Sequence, residues 1–376
     1  MKVEQTLAEL VGIDSVSSRS NLEIVTYLAA RCERAGLCAR LFSYKDEQGT
    51  KKFNLIAVTP RSLADGDEVE LALVGHTDTV PFDPAWAKAL TLTESEGKLY
   101  GRGACDTKGF IAAALAAIEQ IDLARLQRPL ALVFTADEEV GCHGAKQLAE
   151  SGALKARYAI VGEPSSLVPV RAGKGYCLAE IVVGGREGHS AYPALGASAI
   201  FRAARLIARI EAVAERLKEH EHAAFDPPYT TLNVGMINGG TAKNIIAGEC
   251  RFTLEWRPVP NQAAAHAFDL IQAEVENLRA AEADFQCHLQ ILRLDEGTET
   301  NADSPLVREL ETLSGRATGT VAFGTEAPQL TEMGAQAVVF GPGSIRTAHR
   351  TGEFVPVAEL NQCVEILAQA IQRFCQ

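Results

Sequence analysis

The chain has 376 residues, more than one hydrophobic core usually serves, so two domains are expected. Its 36 Lys and Arg against 48 Asp and Glu leave a formal net charge of −12, which argues against a nucleic-acid partner and fits a solvated acidic surface or a cationic ligand. Hydrophobic residues at 47% and charged residues at 22% are ordinary for a globular protein, and no repeat or low-complexity tract interrupts them.

The first stretch, MKVEQTLAELVGIDSV, mixes acidic with apolar residues and reads as an amphipathic helix, not a signal peptide. No apolar run approaches the roughly 20 residues a membrane helix needs, so no membrane partner is expected. Residues 20–36 and 108–121 show helical apolar spacing. The runs FNLIAV (53–58), VELALVG (69–75), PLALVFTA (129–136) and YAIVGE (158–163) are nearly continuous, as in buried strands. Their alternation with helices predicts an α/β fold, with a mainly parallel central sheet flanked by helices on both faces. From residue 177 the style changes. CLAEIVVGGREGHSA, TLNVGMINGG, GECRFTLEWRP and FQCHLQILRL read as strands, with helices at 196–220 and 262–280. The first style returns with helix 304–315, strand 335–341 and helix 358–374. Residues 1–177 and 294–376 are therefore expected to form one discontinuous domain, with an α+β domain of residues 178–293 inserted. The nine cysteines, an odd number without a C-x-x-C pair, fit reduced, mostly buried thiols in a cytoplasmic protein.

In an open α/β sheet, ligands sit at the carboxyl ends of the strands. His76-Thr77-Asp78 follows the run at 69–75, and KLYGRGACDTKGF supplies Asp106. Asp137-Glu138-Glu139 follows PLALVFTA, Glu163-Pro164 follows YAIVG, and VVFGPGSIRTAHRTGEF supplies His349. Each alone has an ordinary explanation. Asp106 could cap helix 108–121, Glu163-Pro164 could form a turn, and Glu138-Glu139 could be a solvated acidic pair. Together they place two imidazoles and several carboxylates on one sheet edge. Such a set repels itself without cations and suits a divalent metal, zinc above all. In extended chain, residues 76 and 78 face one side, so His76 can face a metal while the Asp78 carboxylate takes the N–H of the other ring nitrogen. Glu138 and Glu139 face opposite ways, so one can ligate and the other address a water; spacing alone does not say which.

The motifs GHTDTVP, YGRGACDTKG, ADEEVG, GEP, EGHSAYP and GPGSIRTAH resemble those of the co-catalytic dizinc amidohydrolases, a family that includes acetylornithine deacetylases, succinyl-diaminopimelate desuccinylases, aminoacylases and glutamate carboxypeptidases. The likeness spans nearly the whole chain. TLNVGMINGG with TAKN, WRPVP and FGTEAP are most similar to the acetylornithine deacetylase branch. It implies a zinc-exopeptidase-like catalytic domain and a lid or dimerisation domain in a homodimer. The activity implied is hydrolysis of N2-acetyl-L-ornithine in arginine biosynthesis, at two zinc ions per subunit with cobalt or manganese as substitutes. Asp106 would bridge the ions, with His76 and Glu163 on one and Glu139 and His349 on the other. Glu138 would be the general base and Asp78 the partner of His76. His189 would polarise the scissile carbonyl from across a dimer. Asn244, Arg257 and the backbone of Gly341, Gly343 and Ser344 would hold the carboxylate of an N-acyl amino acid. A cis peptide is implied after Asp106.

Three departures from the family pattern stand out. Glu255 replaces the usual Asp before x-Arg, Cys105 and Cys142 flank metal motifs where small residues are common, and Gly324 precedes Thr325-Glu326. Other readings of the same residues are an N-acetylcitrulline deacetylase, a desuccinylase, a dipeptidase, or a metal-stabilised scaffold without catalysis.

Overall fold

The computed structural model describes residues 2–60 and 68–376. The chain divides into two compact units. The first comprises Met1–Arg171, Thr300–Gly319 and Thr325–Gln376; the second comprises Ala172–Glu299 and Thr320–Gly324. Both segments 172–177 and 294–299 thus lie in the second unit, outside the 178–293 boundaries read from the sequence. So does 320–324, which the sequence division missed. It is tied there by Lys174 N–H to the Val321 carbonyl (3.1 Å) and Thr320 Oγ1 to the Ala224 carbonyl (2.7 Å).

The first unit is built on a mixed sheet. Four strands at its centre are parallel, in the order Leu130–Thr135, Glu68–His76, Lys155–Val161, Gln336–Val339. Strands Lys51–Val58 and Cys38–Lys45 add on antiparallel at one side, and Val170 pairs antiparallel with Val339 at the other. The parallel arrangement expected from the apolar runs therefore holds at the centre. The antiparallel flank arises because Cys38–Lys45 and Lys51–Val58 are joined by a short turn, which cannot make a parallel crossover.

Side chains on the central strands divide by size. Leu71, Leu73, Leu130, Leu132, Phe134, Tyr158, Ile160, Val338 and Phe340 enter one large core. Their alternates Ala72, Val74, Ala131, Val133, Ala159, Val161, Ala337 and Val339 are also buried, so both faces are covered. Helix Lys108–Ile118 is buried at every position, which suits its run of alanines. It packs between helices Val3–Gly12 and Val357–Cys375 and the strand Glu68–His76. Helices His143–Ser151 and Ala327–Glu332, not anticipated from the sequence, pack against each other and against strands Lys51–Val58 and Gln336–Val339 respectively.

The second unit is an antiparallel sheet in the order Thr231–Gly239, Glu249–Arg257, Tyr176–Gly184, Gln286–Asp295, with helices Ala199–Leu217 and His266–Ala281. Cys177, Ala179, Ile181 and Val183 alternate inward beside Cys250, Phe252, Leu254 and Trp256. All nine cysteines are free thiols, and all but Cys38 are buried. Among the described residues, no helix is long and apolar enough to cross a membrane.

Candidate metal centre

The parallel strands fix where the chemistry lies, because they all end on one sheet edge. His76 is the last residue of its strand and pairs with Thr135, the last of the neighbouring one. Glu138 and Glu139 follow Thr135, Glu163 follows Val161, and the Gly341–Ser344 loop follows Val339. Register thus delivers these groups to one place from segments far apart in the chain.

His76 Nε2 lies 3.0 Å from Asp106 Oδ1, and His349 Nε2 lies 3.0 Å from Asp106 Oδ2. Asp106 therefore joins two imidazoles through its two oxygens instead of capping the helix behind it, whose N-cap residue is Thr107. His349, in a left-handed backbone conformation (φ 57°), also reaches Glu139 at 3.0 Å. Donor atoms of His76, Glu138 and Glu163 converge within 4.8 Å, as do those of His76, Asp106 and Glu139. The geometry separates the acidic pair that spacing left symmetric. Glu139 faces His349 and Asp106, and Glu138 faces His76 and Glu163.

Four carboxyls here face two imidazoles. Burial and the neighbouring acids Asp106 and Glu138 push Glu163 well above the usual carboxylate range. Burial, with Glu139, Glu326 and Asp106, pushes Glu138 up to about 8. Hydrogen bonds to Asp106 and Glu139 raise His349 to about 10. Burial pulls His76 down, but Asp106 and Asp78 overcome it and lift the ring well above its ordinary value. Crowded carboxylates that resist ionisation, interleaved with imidazole nitrogens, form an N/O donor set that fits borderline divalent cations.

Asp78 does more than expected. His76 Nδ1 is 3.0 Å from the Asp78 backbone carbonyl and 3.6 Å from its Oδ1. Beside this ion-pair contact, the carboxylate accepts the backbone N–H groups of Glu138 (3.1 Å) and Glu139 (3.3 Å) and the Ser17 hydroxyl (2.7 Å). The cradle expected of the glycine loop is corrected. Gly341 N–H donates to Ser165 Oγ (3.1 Å) and Gly343 N–H to Glu359 Oε2 (2.8 Å), so neither points at a ligand. Gly341 is needed because a Cβ there would stand 2.6 Å from the Glu163 carbonyl oxygen. Ser344 Oγ accepts the Arg346 N–H at 3.4 Å.

The two flanking cysteines are buried donors to oxygen. Cys105 Sγ donates to the Ser344 carbonyl and Cys142 Sγ to Glu138 Oε1, both at 3.5 Å. In the second unit, His189 is exposed and pairs with Ile245, while Ser190 N–H donates to the Asn244 carbonyl. Arg257 lies 4.4 Å above the Tyr176 ring, donates to Glu255 Oε1 at 2.7 Å, and reaches the Ala322 carbonyl, two residues before Gly324, at 3.2 Å.

Sequence reasoning missed two buried acids. Glu353 pairs with Arg102 (2.6 Å) and accepts the N–H groups of Cys105 and Asp106 (2.9 and 3.0 Å), bracing the segment whose Asp106–Thr107 peptide is cis. Glu353→Ala would strand the Arg102 charge. A loss of about 3–5 kcal/mol is expected, read as a lower urea midpoint. Glu326 accepts from Thr135 Oγ1 (2.9 Å), while its buried Oε1 has no partner among the described residues. Burial pushes this carboxyl up to about 7. Between about pH 4.5 and 7 the folded state thus holds a proton that the unfolded chain releases, so this group's contribution is full below that window and lost as pH rises through it. In chelator-treated protein, Glu326→Gln should flatten the fall in stability across those pH values, measured by thermal unfolding.

Residues 72–373 match Peptidase family M20/M25/M40. The chain belongs to this family. It is 53% identical over 371 residues to an acetylornithine deacetylase of Myxococcus xanthus, covering 98% of this chain and 97% of that one. It is 38% identical to an acetylornithine deacetylase of Proteus mirabilis, covering 96% and 92%. Solved M20-like folds include a tripeptidase from Staphylococcus aureus (TM-score 0.77, 23% identity, 99% and 98% coverage). A metallo-carboxypeptidase of the M20 family from Sulfolobus solfataricus superposes with TM-score 0.75 at 20% identity, covering 100% and 99%. The M20 family is metal-dependent, and the cluster at the sheet edge supplies candidate ligands.

Proposed function

We propose that this protein hydrolyses N2-acetyl-L-ornithine to L-ornithine and acetate, as a step of arginine biosynthesis in the cytoplasm. The convergence of His76, Asp106, Glu139, Glu163 and His349 carries the reaction type. The substrate rests on the 53% identity to the Myxococcus xanthus deacetylase. His76, Asp106 and Glu163 would hold one zinc ion, and Asp106, Glu139 and His349 the other; cobalt or manganese suits the same donors. When bound, such a pair acidifies a water and polarises the acyl carbonyl.

Glu138 takes a proton from the attacking water as its oxygen bonds the acetyl carbon. It returns that proton to the ornithine nitrogen as the C–N bond breaks. His189 of the partner subunit donates to the developing oxyanion, a contact typically worth about 3 kcal/mol. Arg257 and Asn244 hold the substrate's α-carboxylate, Arg257 by charge-assisted hydrogen bonds. The exposed apolar side chains of Tyr192, Leu195, Phe201, Met236 and Ile237 support a homodimer formed through the second unit. Light scattering on the purified protein checks that state, and a monomer would refute it.

A substrate panel tests the activity. With metal supplied, kcat/KM for acetylornithine should exceed that for acetylcitrulline, acetylmethionine and succinyl-diaminopimelate. Preference for another member, or for a dipeptide, would overturn the substrate. Full metal content without turnover of any member would instead favour a scaffold.

A further inference from the structure

Asp137, next to the proposed base, is buried and sits in the left-handed region at φ 56°. Both of its carboxylate oxygens are gripped. Lys52 Nζ donates to Oδ1 (2.8 Å), and Tyr44 Oη donates to Oδ2 (2.8 Å). Lys52 is itself 1% exposed, and its ammonium also donates to the Ser17 carbonyl. The Ser17 hydroxyl donates to Asp78 Oδ2, and the Asp78 carboxylate accepts the N–H groups of Glu138 and Glu139. The path closes on itself. It runs from Asp137 through Lys52, Ser17 and Asp78 back to the two residues that follow Asp137.

The geometry points to a positioning role for this ring: the Asp137 side chain, clamped by Lys52 and Tyr44, sets the turn that aims Glu138 at the attacking water and Glu139 at its cation. The inference rests on the roles given to Glu138 and Glu139 above. Three observations favour it over simple core filling. A buried lysine and aspartate are costly to place in an interior, and an apolar pair would fill the same volume. A left-handed turn alone would be served by glycine, without any side-chain clamp. Both ends of the ring also meet the backbone of the turn itself. One end is the Asp137 side chain, and the other is the pair of N–H groups at Glu138 and Glu139. Side chains that orient metal ligands in this way commonly change metal affinity or turnover by about 10–100-fold when removed.

Two variants separate placement from conformation. Asp137→Gly keeps the left-handed backbone and loses the clamp. Asp137→Asn keeps the backbone and the bonds, since the amide can accept from Lys52 and donate to the Tyr44 oxygen. In Asp137→Gly we expect kcat to fall about 10–100-fold with KM within about threefold. The zinc dissociation constant, measured by calorimetric titration, should weaken by about the same factor. Asp137→Asn should recover most of both, and Tyr44→Phe should shift them in the same direction as the glycine variant but less. Near-normal kcat and zinc affinity in Asp137→Gly would overturn the inference. So would equal losses in the glycine and asparagine variants, since then charge and not placement matters. Zinc titration needs no substrate. Failure of the unchanged protein to bind zinc at all would refute the proposed metal centre, a different result from normal binding by Asp137→Gly.

Discussion

Replacing Glu138 by alanine should lower kcat by about 10²–10⁴-fold while zinc content stays close to that of the unchanged protein. The split follows from where the side chain lies. Glu139 meets His349 and Asp106 directly, whereas Glu138 faces His76 and Glu163 and accepts a weak bond from the Cys142 thiol. Glu138 can thus leave without removing the acid that meets both His349 and Asp106. Its carboxyl is pushed up to about 8 by burial and the acids around it. Bound cations would bring that value down towards neutrality, where a base both accepts and returns a proton readily. Metal analysis beside steady-state kinetics reads both quantities. Turnover near that of the unchanged protein would remove Glu138 from the base role, and loss of zinc with turnover would make it a ligand instead.

Asp106→Asn should be more damaging still, because one carboxylate serves both imidazole pairs. The asparagine has the same shape but no charge, and only one of its two terminal atoms accepts. Zinc content should fall by at least about half and kcat by more than about 10³-fold, since an outer-shell change alone already reaches about 10²-fold. The metal-free protein should weaken too. Burial works against the Asp106 charge, but His349 and His76 hold the carboxyl well below its usual range. An acid depressed on folding contributes stability above its unfolded pKa of about 3.9, lost as pH falls through the folded value. Chelator-treated Asp106→Asn should therefore be less stable than the chelated parent at pH 7, with the gap closing towards low pH. Full zinc content in this variant would show that Asp106 is not shared between two ions.

Much of this site was legible because strand ends leave a sequence signature. A run of buried apolar residues that stops at His76, or at Asp137-Glu138-Glu139, marks a sheet edge, and parallel strands bring such edges together. What could not be read is what depends on distant pairing. Glu353 looks like any acid in a polar loop until it meets Arg102, 251 residues away. Lys52 looks like a surface lysine until the fold closes Asp137 and Ser17 over it. The Asp78 carboxylate was assigned to His76 by local spacing. In the fold it keeps an ion-pair contact with His76, but backbone N–H groups 60 and 61 positions on supply its closer hydrogen bonds. Strand Cys38–Lys45 was missed because its sides alternate between partial and full exposure, so no continuous apolar run announces it. Helices His143–Ser151 and Ala327–Glu332 are short, too short for periodicity to stand out.

The most direct test is a zinc-edge anomalous difference map from crystals of the metal-loaded protein. Two peaks about 3.5–4 Å apart are expected, the spacing usual for paired catalytic ions. One should touch His76, Asp106 and Glu163, and the other Asp106, Glu139 and His349. No peak at the end of strand Glu68–His76, or peaks held by other side chains, would contradict the account.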